Sequence, residues 1–275
     1  MKNGRDLVHR FFAGEVAAAA RLITMAENGD PQWRALYGRI SSKVGRAFRT
    51  GFTGPPGAGK STLVDACAKA LRRGKKKVGV VAVDPSSPFS GGALLGDRIR
   101  MQRVQLDSGV FIRSMATRGA LGGIARATVE ACDVLDAFGF EEILVETVGV
   151  GQSETEILKA SDTVVVVLCP GAGDGIQAMK AGLMEIADIF LINKADLPGA
   201  ERLRGEVQDA LGLLRGKPGW QPPVLETSAS QGKGVAELLE AVGKHRDFLR
   251  REGRLEEGRR RRVGRGSKKT AKRGD

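Results

Sequence analysis

The chain has 275 residues, 38 of them glycine, with only 5% aromatic residues and a formal net charge of +12, enough for one α/β domain with a sizeable core and some extensions. Its three cysteines, Cys67, Cys132 and Cys169, lie far apart with no Cys-x-x-Cys pair, which argues against a disulfide framework or a zinc site and points to a reducing cytoplasm. No apolar run reaches the roughly 18 residues of a membrane span, and the N-terminus, with Asp6, His9 and Arg10, lacks the apolar segment of a secretory signal.

Residues 1–49 read as an N-terminal helical extension. "LVHRFFAGEVAAAARLITMAEN" has apolar positions at helical spacing, "NGDPQ" breaks it, and "WRALYGRISSKVGRAF" resumes. "GRAFRTGFTG" carries only a weak strand signal. "TGPPGAGKST" follows, with Gly-x-x-x-x-Gly-Lys-Ser from Gly54 to Ser61, and then the helix "STLVDACAKALRR". That spacing is a phosphate-cradling loop: glycines let backbone N–H groups turn inward around phosphate oxygens, and a helix N-terminus points at the same anion. Gly54, Pro55, Pro56, Gly57, Ala58, Gly59, Lys60, Ser61 and Thr62 form the candidate phosphate site. Lys60 reaches the β- and γ-phosphates, and the Ser61 hydroxyl holds Mg²⁺.

Beyond the loop, "KVGVVAVD", "SGVFIRS", "EEILVET", "DTVVVVLCP", "IADIFLINKAD" and "PPVLETSAS" read as strands. Between and after them come the helices "ARATVEACDVLDAFG", "ERLRGEVQDALGLLRG" and "VAELLEAVGKHRDFLRR". The continuous β-branched runs suit buried parallel strands. The expected fold is therefore α/β: a P-loop NTPase at 50–249 with a mostly parallel central sheet flanked by helices, and ligands at the strands' C-terminal ends. Arg250 to Asp275 holds twelve Lys or Arg against four Asp or Glu, a balance of +8 that leaves +4 for the preceding 249 residues. This stretch reads as a basic, disordered tail, with weak binding to RNA or an anionic surface as its functional alternative.

Two further stretches choose the base. "NKAD", Asn193 to Asp196, directly follows "IFLIN". The Asp196 carboxylate can accept hydrogen bonds from guanine N1–H and the 2-amino group, both of which adenine lacks. Lys194 can lay its stem over the base, and Asn193 can tie loops together. In "ETSAS" the Ala229 N–H can meet guanine O6, with Ser228 shaping the turn. Acidic residues for Mg²⁺ come at strand ends: Asp84 in "AVDPSSP" and Glu146 in "LVETVGVGQSE". Gly149 can bring a backbone N–H to the γ-phosphate, which makes that segment a nucleotide-sensing switch. Asp97 in "LLGDRIRM" either orients Mg²⁺ or the attacking water, or caps a helix.

Taken together, "GPPGAGKSTL", "VAVDPSSPFSGGALLGDRIRM", "RGALGGIARAT", "ETVGVGQSE" and "LINKAD" resemble the MeaB/ArgK-type GTPases, chaperones of adenosylcobalamin-dependent methylmalonyl-CoA mutase. The resemblance runs from about Leu7 to about Glu257, and "DPSSPFSGGALLGDRIRM" is its most specific part. It implies a cytoplasmic, Mg²⁺-dependent GTPase that binds GTP and GDP, gates cofactor loading and protects an acyl-CoA mutase. Lys60, Asp97 and Glu146 would be its catalytic residues, and Ser61, Asp84, Asp97 and Glu146 its metal ligands. Gln177 and Lys180, in "GDGIQAMKAGLMEIAD", would belong to a switch coupling hydrolysis to the mutase. Such GTPases continue past "REGRLEEGRRRR" into helices that build a homodimer; glycine and basic residues follow here instead, so those dimerisation helices are not expected and a homodimer stays an open reading. Two other readings stand beside this one: a nickel-insertion GTPase, for which His9 and His245 are the only histidines, and a nucleotide-dependent RNA-binding protein. Neither a membrane nor a specific nucleic-acid partner is expected.

Overall fold

The computed structural model describes residues 2–84, 107–116, 121–147, 153–171, 182–213 and 219–268. Three helices open the chain: α1 (Lys2–Phe12), α2 (Val16–Glu27) and α3 (Trp33–Ile40). Seven strands follow: β1 (Phe48–Thr53), β2 (Val78–Asp84), β3 (Val110–Ala116), β4 (Glu142–Thr147), β5 (Thr163–Leu168), β6 (Ile189–Asn193) and β7 (Val224–Thr227). Between and after them run α4 (Lys60–Arg73), α5 (Leu121–Phe138), α6 (Ser153–Ala160), α7 (Leu183–Ile186), α8 (Ala200–Leu213), α9 (Val235–Arg251) and α10 (Arg254–Lys268).

The strands form one sheet in the order β3-β2-β4-β1-β5-β6-β7, and every pairing is parallel. The connections reverse direction around β1, so the loop after β1 opens at the crevice where α/β sheets bind ligands. The sheet is covered on both faces. On one, α1–α3 and α5 close over Val81, Val83, Ile143 and Val145 in a shared apolar cluster. On the other, α4 and α9 pack on Phe52, Val80, Leu144 and Val165. The N-terminal helices are thus built into the core of the sheet.

β1 shows why its sequence reads weakly as a strand. All six residues are buried, yet two are Arg49 and Gly51. A Cβ on Gly51 would come 2.4 Å from Ser161 Oγ and 2.6 Å from Ile157 Cγ1, so α6 sits directly on the backbone there. Arg49 lies 2.7 Å from Asp133 and 3.3 Å from Asp136, both on α5. Burial opposes its charge, but these carboxylates outweigh that and hold the guanidinium ionised. Asp133 also accepts the Tyr37 hydroxyl at 2.8 Å. Asp136 accepts the N–H groups of Gly45, Arg46 and Ala47 at 2.8–3.0 Å. These bonds explain a difference from the sequence reading: the helix from Trp33 stops at Ile40, a single 3-10 turn follows at Ser41–Lys43, and the chain bends at Gly45 and Ala47 before entering β1.

Residues 250–268 also differ from the disordered tail expected of them. α9 continues to Arg251, Gly253 turns the chain with φ 66°, and α10 folds back against the sheet. Leu255 is buried in the cluster under α4 and α9. Arg259 donates to the carbonyl of Ala47 at 3.0 Å, and Arg262 to the carbonyl of Ser161 at 3.1 Å and to the carboxylate of Asp162. Glu256 and Glu257 lie in the helix's first turn, where the helix dipole favours negative charge. No apolar period announced this helix because, apart from Leu255, its anchors are arginine side chains.

Candidate functional site

The phosphate loop joins β1 to α4 at the C-terminal edge of the sheet. Gly54 and Gly59 are fixed there by contact as well as by conformation. Their φ values are 137° and 85°, and an added Cβ would meet Val167 O at 2.0 Å and Asn193 Nδ2 at 2.5 Å respectively. Lys60 is buried, and its Nζ donates to the carbonyls of Gly54 and Pro55 at 2.8 and 2.9 Å. Desolvation pulls its pKa below the usual lysine value, against the favourable field of Glu146. A buried ammonium held over backbone carbonyls at a helix N-terminus fits a phosphate anion, whose charge would offset that desolvation.

Ser61 Oγ donates to Glu146 Oε1 at 2.6 Å. Glu146 lies in register with Phe52 of β1 and Ala82 of β2, two residues before Asp84 ends β2. A hydroxyl and a carboxylate in contact beside the phosphate loop are oxygen donors of the kind Mg²⁺ takes, so these residues fit that ion. Only the backbone of Asp84 is described. Asp97, Gly149, Gln177 and Lys180 lie outside the described residues.

The base-reading residues converge on the same edge. Asn193 ends β6 and bonds three ways: Nδ2 donates to Ala58 O at 2.8 Å, while Oδ1 accepts Thr227 Oγ1 at 3.1 Å and the Ala229 N–H at 3.2 Å. It links the phosphate loop to the loop after β7. The Ala229 N–H, expected to face a base, is thus engaged with Asn193 here. Thr227, which sequence reading passed over, belongs to this cluster; its position next to Ser228 was the available signal. Lys194 takes a left-handed φ of 58°, and its Cε lies 3.9 Å from where a Cβ on Gly59 would sit. Asp196 Oδ1 accepts the Ser228 hydroxyl at 2.6 Å. That bond, with a backbone one, holds its carboxyl below the usual range, so it stays an acceptor at neutral pH. Pro56, Gly57 and Thr62 are exposed along the loop, and Ala58 is buried beneath it. Cys169 also reaches this edge, with Sγ 3.9 Å from Gly57 O.

Comparison with known proteins gives this edge its setting. The family described as methylmalonyl-CoA mutase-associated GTPase MeaB matches residues 19–273. A protein named as a GTPase in Pyrococcus abyssi is 56% identical over 261 residues, 94% of this chain and 81% of that protein. The GTPase ArgK of Escherichia coli is 38% identical over 260 residues, covering 92% of this chain and 78% of its own. The mitochondrial methylmalonic aciduria type A homolog of Mus musculus is 37% identical, over 88% of this chain and 63% of its own. Among solved structures, an LAO/AO transport system kinase superposes with a TM-score of 0.78 at 32% identity, covering 98% of this chain and 83% of that one. HypB from Helicobacter pylori shares the fold at TM-score 0.54 and 19% identity, over 82% of this chain and 96% of that one. The chain belongs to the MeaB/ArgK family of P-loop GTPases, which bind guanine nucleotide and hydrolyse GTP.

Proposed function

We propose that this GTPase is a cytoplasmic chaperone of an adenosylcobalamin-dependent acyl-CoA mutase of the methylmalonyl-CoA type, using GTP to gate cofactor loading and to protect the loaded enzyme. The observation that carries the reading is the match over residues 19–273 to a family described by its association with that mutase. In this reading Lys60 neutralises charge on the β- and γ-phosphates. Ser61, Asp84, Asp97 and Glu146 hold Mg²⁺, which when bound would neutralise charge on the phosphate oxygens. Asp97 and Glu146 orient the attacking water, and the Gly149 N–H senses the γ-phosphate. Asn193, Lys194, Asp196, Ser228 and Ala229 read the base, with Asn193 passing the state of one loop to the other. Gln177 and Lys180 couple hydrolysis to the mutase.

The nickel-insertion reading draws only on a fold shared with HypB, at 19% identity. Of the two histidines, His245 is buried against Thr163, 2.8 Å from its Oγ1, and His9 lies on exposed turns of α1.

The test is GTP turnover with and without purified mutase, together with mutase affinity in the GTP and GDP states. Turnover should rise with mutase, and the two affinities should differ, because coupling between binding sites is reciprocal. Unchanged turnover together with equal affinities would reject the mutase as client.

A further inference from the structure

In a parallel sheet every strand starts at the same edge, and here the cations gather along it. Lys75, Lys76 and Lys77 lead into β2 and Arg46 leads towards β1; all four are exposed. Glu141, at the head of β4, joins the two groups: its carboxylate accepts Lys76 Nζ at 2.7 Å, and its carbonyl accepts the Phe48 N–H at 2.9 Å. α10 crosses the same edge with Arg259 over Ala47 and Arg262 over Ser161 and Asp162. With those two side chains turned inward, Arg260 and Arg261 between them are exposed.

The helix dipole accounts for cations in the last turns of α4 and α9. It does not account for three lysines beyond the end of α4, or for Arg46 ahead of a strand. The row from β2 through β4 and β1 to β5 covers four strands, about 14 Å at the usual strand spacing, along which duplex DNA presents roughly eight charges.

We propose that this edge is a second binding surface, which takes the phosphodiester backbone of a nucleic acid by charge and without reading its sequence. Three observations favour that partner. The exposed large apolar side chains among the described residues are Phe12, Val16, Leu158, Leu197 and Leu213, and none comes from α4, α9, α10 or the strand lead-ins that carry the cations. A bilayer site would need such anchors beside the charge, and a stable acidic-protein interface would need an apolar centre. The sequence after Arg262 continues in the same character, with Arg265, Lys268, Lys269, Lys272 and Arg273 against a single acid, Asp275. Phe48 and Phe140, at the heads of β1 and β4, are both buried, Phe48 under Arg246, whose guanidinium carbon lies 4.0 Å from the ring centre; no base can stack on either, which leaves backbone contact and no sequence preference.

The surface lies at the opposite end of β1 from the phosphate loop, about 20 Å away at the strand rise, so its occupancy is separable from GTP hydrolysis. The experiment is fluorescence anisotropy of the full chain with a labelled DNA duplex and a labelled single-stranded RNA, each about 20 nucleotides long. Polyglutamate and phosphatidylserine vesicles serve as competitors. Both nucleic acids should bind, and affinity should fall at least about 10-fold between roughly 50 and 200 mM salt, as expected for three or more phosphate contacts. The combined Lys75→Glu, Lys77→Glu and Arg260→Glu variant should bind at least about 10-fold more weakly with GTP turnover unchanged. Should that variant lose turnover through misfolding, Arg260→Glu alone and the wild-type salt slope still decide the matter. Salt-insensitive binding, equal binding by a folded variant, or stronger competition by polyglutamate or vesicles than by unlabelled duplex would each overturn the proposal.

Discussion

Ser61 donates its hydroxyl hydrogen to Glu146 Oε1 across 2.6 Å, tying the first turn of α4 to the penultimate residue of β4. The two residues are 85 positions apart, and the sheet register brings them together beside the phosphate loop. If this pair holds Mg²⁺, the cost of losing Glu146 depends on the ion's concentration. Glu146→Ala should lower GTP turnover about 10- to 100-fold at limiting Mg²⁺ and less at high Mg²⁺, in line with the loss of a group that orients a metal ligand. Titrating turnover against Mg²⁺ for wild type and variant checks this; normal turnover at limiting Mg²⁺ would remove Glu146 from the metal site.

Asp196 offers a second measurement. Its carboxylate is ionised and steadied by Ser228, which suits the two donors of guanine. Asp196→Asn replaces one acceptor with a donor. GTP binding should weaken about 10- to 100-fold, the scale of losing charge-assisted hydrogen bonds of roughly 1.5–3 kcal/mol. Xanthosine triphosphate, whose 2-keto group accepts from the amide, should bind better to the variant than to wild type. Unchanged GTP preference on titrating both nucleotides would sink the assignment.

The parts of the molecule legible in sequence were those whose determinants are local. The phosphate loop, the residues after β6 and the β-branched strands each announce themselves within about ten positions, because loop chemistry and burial act on neighbours along the chain. β1 was faint because half of what fixes it is remote: Arg49 needs Asp133 and Asp136, and Gly51 needs Ile157 on α6 and Ser161 just beyond it. α10 was misread for the same reason, since its arginines meet Ala47 and Asp162 across 212 and 100 positions of chain. The engagement of Ala229 N–H by Asn193 is likewise a contact between the end of β6 and the turn after β7 that no single stretch records.

Glu130 supplies a pH-dependent prediction. It sits on α5, and burial pushes its carboxyl up from 4.5 to about 6, opposed by Arg126 at 3.4 Å and by a hydrogen bond from Trp33. The folded state therefore binds this proton more tightly than the unfolded chain. Its contribution to stability is full below pH 4.5 and is lost as pH rises through about 6. At neutral pH the ionised carboxylate is a liability. Glu130→Gln should be more stable than wild type at pH 7 by about 1 kcal/mol, after allowing for solvent screening. The gain should disappear below pH 4.5. Urea unfolding of both proteins across that range reads the difference; a gain independent of pH would show that the carboxyl's ionisation is not its cause.

The last prediction concerns the docking of α10. Arg262 reaches Asp162, whose side chain is almost wholly buried, and Asp162 also accepts the Arg49 N–H at 2.9 Å. Removing residues 258–275 takes away that charged partner and Arg259's bond to Ala47, while Leu255 stays in the chain. Asp162 keeps its backbone bond but loses its counter-charge, which should cost roughly 1–3 kcal/mol. A disordered tail would cost nothing. Because these contacts lie at the far end of β1 from Lys60, GTP turnover should survive wherever the shortened protein remains folded. Arg262→Ala should reproduce a large part of the stability loss, and Arg260→Ala, at an exposed position two residues earlier, should reproduce almost none. Denaturant unfolding of the three variants separates the cases: equal stability of the truncated and full chains would mean that α10 does not hold the sheet edge, whereas a loss traced to Arg262 and not to Arg260 identifies the ion pair with Asp162 as its anchor.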